Sequence, residues 1–345
     1  MYHCYQTFTM QKMNSRFFAV MLVVMASCFV SALPVCRADG RLEGKMYSNP
    51  VTTNSMPDPS VVRADDGWYY AYGTAKNVSI MKSANLVDWE YVGTAFTDDT
   101  RPSFEPGAGI WAPDVTRVGG KYVMYYSMSV WGGEWTCGIG CAVADSPEGP
   151  FVDKGKLFRS NEIGVKNSID PFYIEENGCK YLFWGSFRGI YHVRLTDDGL
   201  GVMPGEEPVL VAGTAYEGTY IHRHEGKYYF FASIGSCCEG TKSTYKTVVG
   251  RSDSLFGPYV DREGRPMLEN NHEIVIHGDD LFVGTGHNSE IVSDDAGNDW
   301  ILYHSFVVGG PEGRVLMLDR VEWIDGWPYV KSSIPSHSAP VPEIH

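Results

Sequence analysis

The sequence predicts an all-β protein, a five-bladed β-propeller. The first sign is one phrase repeated five times: "GWYYAYGT" from Gly67, "GKYVMYYS" from Gly120, "CKYLFWGS" from Cys179, "GKYYFFAS" from Gly226 and "NDWILYHS" from Asn298. Each copy opens on a turn residue, runs through aromatic, β-branched and aliphatic residues, and closes on a small hydroxyl residue. Short runs of this kind, bounded by Gly, Asp and Asn, read as strands. The second sign is the period. The anchoring aromatics Tyr69, Tyr122, Tyr181, Tyr228 and Trp300 lie 53, 59, 47 and 72 residues apart, the spacing of four-stranded propeller blades. The third is the lack of any sustained helical period. One blade cannot hide both of its faces. Neighbouring blades bury them, and closing the ring removes long exposed edges. A two-sheet sandwich would not need a fivefold phrase.

The elements follow in chain order. Residues 1–38 read as a signal peptide. Lys12 and Arg16 form a basic start, and "FFAVMLVVMASCFVSA" from Phe17 to Ala32 is the apolar segment, too short and too early for a spanning helix. Two exits stay open. Cleavage can follow Ala32 or Ala38, or "MASC" can act as a lipobox that makes Cys28 a lipid anchor. Either exit makes the protein secreted or periplasmic. Residues 45–330 read as one propeller, and no later segment is long and apolar enough to cross a bilayer. "SPEGPF" at Ser146 and "SLFGPY" at Ser254 read as equivalent outer turns, and "LVDWEYVG" at Leu86 as the end of a blade. Residues 331–345, "KSSIPSHSAPVPEIH", read as a polar tail, either disordered or strap-like.

Composition narrows the partners. The 345 residues carry a formal net charge of −14, which argues against nucleic acid and anionic membranes. It suits a neutral ligand, and a metal cation where carboxylates converge. A monomer is expected. Of eight cysteines, Cys4, Cys28 and Cys36 lie in or near the leader. Cys137, Cys141, Cys179, Cys237 and Cys238 remain, an odd number with no C-x-x-C pair, so not all can pair within the chain. One or two buried thiols with at most one disulfide is the expectation.

The candidate chemistry comes from counting backwards. Asp58, Asp170 and Glu217 each stand 11 residues before the anchor of their repeat. The same offset in the second copy gives Trp111, and in the fifth copy His287 lies 13 residues before Trp300. If the second strand of each blade carries the aromatic phrase, the first carries the acid. That strand lines the propeller axis, so the three acids converge on one central pocket. Clustered carboxylates repel, so at least one pKa rises, separating an ionised base from a protonated acid. Two such groups about 6.5–9.5 Å apart across a glycosidic bond leave room for water and give inversion. Trp111 can stack on sugar rings.

These residues also carry a family likeness. From Asn49 to Val330 the chain resembles glycoside hydrolase family 43, five-bladed propellers acting on arabinan and xylan side chains. The likeness rests on "DPS" at Asp58, "WAPD" at Trp111, "IDP" at Ile169, the Glu217 region, "GPF", "GPY" and "WIDGWP" from Trp323. It implies that Asp58 is the general base, Glu217 the general acid, and Asp170 the residue that tunes and orients the acid. "FWGSFRGI" from Phe183, "CCEGTKSTYKTVVGRS" from Cys237 and "GTGHNS" from Gly284 are most similar to endo-acting arabinanases. In those enzymes the histidine matching His287 faces a central-channel cation, usually calcium. The substrate implied is plant cell-wall arabinan or arabinoxylan, with Trp111, Asn167 and Ser186 as contacts. The chain departs from the pattern at Pro57, at "EGT" from Glu217 and at Arg188. An exo-acting arabinofuranosidase, a β-xylosidase or a non-catalytic carbohydrate-binding propeller therefore stay open as alternatives.

Overall fold

The computed structural model describes residues 44–345. The expected signal peptide and the lipid anchor at Cys28 lie outside the described residues. Every copy of the aromatic phrase forms the second strand of an antiparallel sheet, and there are five such sheets. Blade I is Ser60–Arg63, Tyr69–Gly73, Ser79–Ser83 and Glu90–Thr94. Blade II is Gly109–Val118, Lys121–Ser129, Gly138–Ala144 and Val152–Arg159. Blade III is Phe172–Glu176, Cys179–Trp184, Ile190–Arg194 and Val209–Ala212. Blade IV is Glu217–His224, Lys227–Ile234, Lys246–Ser252 and Glu273–Ile276. Blade V has Phe282–Gly286 and Ile291–Ser293 paired with successive parts of Asp299–Val307, then Val315–Ile324, and is completed by Thr52–Ser55 from the other end of the chain.

The aromatic phrase is apolar throughout because its strand is covered on both faces. Side chains alternate across a strand, and each set faces a different neighbour. Tyr70 and Tyr72 of blade I pack with Met124 and Tyr126 of blade II. Tyr69 and Ala71, the intervening residues, pack with Trp300 and Leu302 of blade V. Val123 and Tyr125 of blade II meet Leu182 and Trp184 of blade III, and Phe183 joins the cluster of Phe230 and Tyr303. The core is thus a ring of contacts between blades. "SPEGPF" and "SLFGPY" both fall between the third and fourth strands of their blades.

The ends of the ordered chain are tied together. Met46–Ser48 pairs with Ser338–Pro340, so the polar tail is a strap across the closure, and the folded body runs past Val330. The buried Asn49 amide donates to the Leu318 and Ser336 carbonyls, and its oxygen accepts from the Leu318 N–H. The Ser336 N–H in turn donates to Asp319, which also accepts from Tyr303. Polar composition hid this role, because the strap is held by backbone pairing and a few buried polar groups. Deleting residues 331–345 removes the Ser336 bonds, each worth about 1 kcal/mol. Equilibrium denaturation is therefore expected to show a loss of about 1–3 kcal/mol with the fold retained.

Candidate active site

The site is set by where each blade begins. One residue on the axial side of each blade has a left-handed backbone: Asp58, Ala112, Asp170, Gly218 and His287 have φ of 52°, 41°, 59°, 61° and 47°. Four of the five carry a Cβ, so each of those conformations costs about 1–3 kcal/mol unless its surroundings hold it. The preceding blade does so, through the residue that ends its aromatic phrase. The Ala112 N–H donates to Thr74 Oγ1 at 2.7 Å, the Asp170 N–H to Ser127 Oγ at 2.9 Å, and the His287 N–H to Ser233 Oγ at 2.8 Å. At the closure the Asp58 N–H donates to His304 Nδ1 at 3.0 Å. At the remaining junction the Ser186 hydroxyl donates to the Glu217 carboxylate at 2.7 Å. At four junctions the hydroxyl that closes the phrase is therefore the clamp between blades, and at the closure His304, one residue before the end of its phrase, takes that place.

The equal offsets of the three acids need one refinement. Asp58 and Asp170 occupy the left-handed position itself, whereas Glu217 precedes the left-handed Gly218 and so matches Trp111, which precedes Ala112. Glycine stands at 218 because a Cβ there would lie 3.0 Å from the His287 ring, on a backbone of φ 61°.

Asp58, Asp170 and Glu217 are all buried and line one cavity of about 720 Å³. Trp111, Asn167, Ser186 and His287 line it too. The Ser186 hydroxyl is engaged by Glu217, so it positions that carboxyl. Asn167 donates to the Ser186 carbonyl. His287 Nδ1 lies 3.5 Å from Asp58 Oδ1. Arg188 is paired with Glu134 at the cleft rim, its Nη2 at 2.7 Å from Oε1.

The three carboxyls are driven apart electrically. Burial raises every one of them. For Asp58 that is outweighed, and its pKa falls well below the usual carboxylate range. Arg314 Nη1 donates to Asp58 Oδ1 at 2.6 Å and Thr74 Oγ1 to Oδ2 at 2.6 Å. His304 and His287 are themselves pushed down by burial, His304 to about 4, so at neutral pH the guanidinium supplies the positive charge. Glu217 has no cation in contact. Burial and the Asp58 charge lift it to about 7, against hydrogen bonds from Ser186 and Tyr245. Asp170 is pushed well up by burial and by its two acidic neighbours, although it accepts the Gly218 N–H at 3.2 Å.

Several site residues left no periodic signal in the sequence. Arg314 comes from the start of the third strand of blade V, and Tyr245 from the loop before the third strand of blade IV. Tyr245 is seated against Gly286, where a Cβ would meet its ring at 2.3 Å. Trp131, 82 % exposed, stands 6.5 Å from Trp111 and extends the aromatic wall. Cys237 and Cys238 are disulfide-bonded to each other and form part of the cavity wall, while Cys137, Cys141 and Cys179 are free thiols.

Among the described residues two groups of three side chains bring potential ligand atoms within 4.8 Å of one another, His222 with His224 and Asp299, and Asp261 with Glu263 and Glu273. His287 belongs to neither. It lines both the cavity of the three carboxyls and a second one of about 20 Å³, lined also by Asp114, Thr219, Asn288 and Glu290.

The family profile described as Glycosyl hydrolases family 43 matches residues 47–328. The chain is 34% identical over 302 residues to the extracellular exo-α-(1→5)-L-arabinofuranosidase ArbA of Cellvibrio japonicus, covering 79% of this chain and 85% of that protein. It is 30% identical over 287 residues to the extracellular endo-α-(1→5)-L-arabinanase 1 of Bacillus subtilis, covering 79% and 87%. The solved structure of the Cellvibrio cellulosa α-L-arabinanase complexed with arabinohexaose superposes with a TM-score of 0.74 at 30% identity, covering 83% of this chain and 99% of that one.

The raised Glu217 pKa has a consequence for stability. A carboxyl whose folded value of about 7 exceeds its ordinary 4.5 favours the fold while protonated, and that contribution is lost as pH rises from 4.5 through 7. Glu217→Gln keeps the shape and cannot ionise. Its melting temperature is expected to exceed that of the wild type at pH 8, by a stability of up to about 3 kcal/mol, with the gap closing by pH 5. A gap independent of pH would mean that Glu217 ionises normally.

Proposed function

The chain belongs to glycosyl hydrolases family 43 and is a glycosidase, and on that premise we propose that it hydrolyses α-1,5-linked L-arabinan in the endo manner, with inversion. The observation that carries this reading is the opposite displacement of Asp58 and Glu217 within one cavity. Asp58 stays ionised and takes a proton from the attacking water, whose oxygen bonds to the anomeric carbon. Glu217 keeps its proton to about pH 7 and delivers it to the departing glycosidic oxygen. Each turnover leaves Asp58 protonated and Glu217 ionised, and exchange with solvent restores both. Asp170 accepts the N–H of the residue after Glu217 and so helps to orient the acid, while Ser186 and Tyr245 hold its carboxyl. Trp111 and Trp131 offer faces for sugar rings, and Asn167 lies within the same wall. A polymeric cell-wall substrate requires export, in keeping with the expected leader and with the word extracellular in both relatives' names.

Exo action is the second reading, because the Cellvibrio relative is named for it. Debranched arabinan distinguishes the two: a ladder of oligomers is expected, and arabinose alone would assign exo action. Glu217→Gln is expected to lower kcat by about 10²–10⁴-fold with the fold intact, and wild-type kcat/KM to fall as pH rises through about 7. Near-normal turnover by the variant would remove Glu217 from the role of acid.

We further propose that His287 and the second cavity it lines serve a hard cation such as calcium. The donor set fits: Thr219 Oγ1 and Asn288 Oδ1 are buried without a hydrogen-bond partner, beside Asp114 and Glu290, and oxygen donors suit calcium. His287 would be a single ligand, with water completing the shell. When bound, the ion supplies positive charge below Asp58 that favours its ionised form. Elemental analysis is expected to find one calcium per chain, lost in His287→Ala with a lower melting temperature. No calcium in the wild type, and a melting temperature unmoved by chelator, would reject the site.

A further inference from the structure

A second set of ligands lies at the opposite end of the blade that carries Glu217. The innermost strand of blade IV begins at Glu217 in the catalytic cavity and ends at His224, about 23 Å away at 3.3 Å per residue. His222 and His224 are two residues apart on it, so they project from one face. Asp299, the first residue of the second strand of blade V, meets them across the junction. One ligand atom from each of the three lies within 4.8 Å of the others. No salt bridge within 4.0 Å joins Asp299 to either histidine among the described residues. The spacing is too wide for direct bonding and close to what a shared central ion spans. Tetrahedral zinc with bonds of about 2.0–2.1 Å places its ligand atoms about 3.4 Å apart, so closure on an ion needs a contraction of about 1–1.5 Å at most, within reach of small side-chain rotations.

The supports behind these side chains are those that a metal site uses. His222 Nδ1 lies 3.0 Å from the Tyr220 hydroxyl, whose oxygen also accepts the Ile291 N–H. With Nδ1–H donating to that oxygen, Nε2 is left free to ligate. The His224 ring stacks on Trp323, with centroids 3.7 Å apart and planes 6° from parallel, which fixes its orientation. The Trp323 indole N–H donates to Asp299 Oδ2 at 2.7 Å, and the Ser293 hydroxyl to Oδ1 at 2.6 Å. All three ligands are half-buried, so the position is reachable from solvent.

We propose that His222, His224 and Asp299 form a binding site for a borderline transition-metal ion, zinc above all, that staples blade IV to blade V. Two imidazoles and one carboxylate select such an ion over calcium. The site is distinct from the cavity of the catalytic carboxyls, and its metal takes no part in hydrolysis. Its effect is on the ring: an ion bound only by the folded state stabilises it in proportion to occupancy.

The test is zinc binding by the whole chain, followed by calorimetry and elemental analysis. The wild type is expected to bind one Zn2+ more than the double variant His222→Ala/His224→Ala, and zinc to raise the melting temperature of the wild type alone. Trp323→Phe, which removes the indole donor to Asp299, is expected to weaken binding by about tenfold or more. Arabinan cleavage should be unchanged in the double variant. Should that variant fail to fold, Asp299→Asn takes its place, with the same loss expected. Equal zinc content and affinity in wild type and variant, or no zinc bound by the wild type, would overturn the assignment.

Discussion

The hydrogen bond that each axial N–H donates to a side chain at the end of the preceding blade's phrase is the constraint on which the rest depends. It solves two problems at once. A residue with a Cβ and positive φ carries backbone strain, and an N–H turned into the ring would otherwise be buried without a partner. Thr74, Ser127, Ser233 and His304 answer both. A second belt lies beneath the first. Val115 N–H donates to Ser60, Tyr173 N–H to Asp114, Ile291 N–H to Tyr220, and Val61 N–H to Glu290. Two tiers of bonds across the junctions make the axial residues parts of one rigid floor.

That rigidity is what permits strained electrostatics. Three carboxyls buried together would relax apart, or draw in water, on a soft scaffold. Here Asp58 and Asp170 are fixed through their own backbone, and Glu217 through its side chain. With positions fixed, the charges sort by partner. Only Asp58 has a guanidinium in contact, so it carries the negative charge, and its neighbours hold protons more tightly as a result. The same logic acts below, where Asp114 and Glu290 are buried together and both are pushed upward by burial.

What was legible in the sequence is what repeats. Tyr69, Tyr122, Tyr181, Tyr228 and Trp300 mark the doubly covered strands, and they led to the blade count, the strand order and the central placing of Asp58, Asp170 and Glu217. The closing hydroxyl was visible as part of the phrase, but its partner is a backbone group some 40–50 residues away, which no local pattern announces. Arg314 and Tyr245 were illegible for the same reason: each acts from a single blade, so nothing recurs. The fourth strand of blade V was hidden because Thr52–Ser55 is polar and mostly exposed, held by backbone pairing to Val315 and Leu316. Cysteine counting allowed one disulfide without locating it, because bonding between adjacent residues depends on the local backbone of the Cys237 loop.

The floor and the walls of the cleft therefore answer to different rules. The floor is tied at every junction. The walls are built from connections within blades, and each has its own tether. The segment that carries Trp131 and Glu134 is held where the Asn167 N–H donates to the Glu134 carbonyl, and where Lys166 and Arg188 pair with the Glu134 carboxylate. Facing the same cavity, the Cys237–Cys238 bridge removes two thiols and presents polarizable sulfur. None of the hydrogen bonds in the belts beneath involves Trp131, Glu134, Cys237 or Cys238. The three carboxyls sit in the tied floor, and Trp131 and the Cys237–Cys238 bridge in walls tethered segment by segment. In this chain Arg188 acts on the walls, through Glu134, and has no part in the charge balance of the carboxyls.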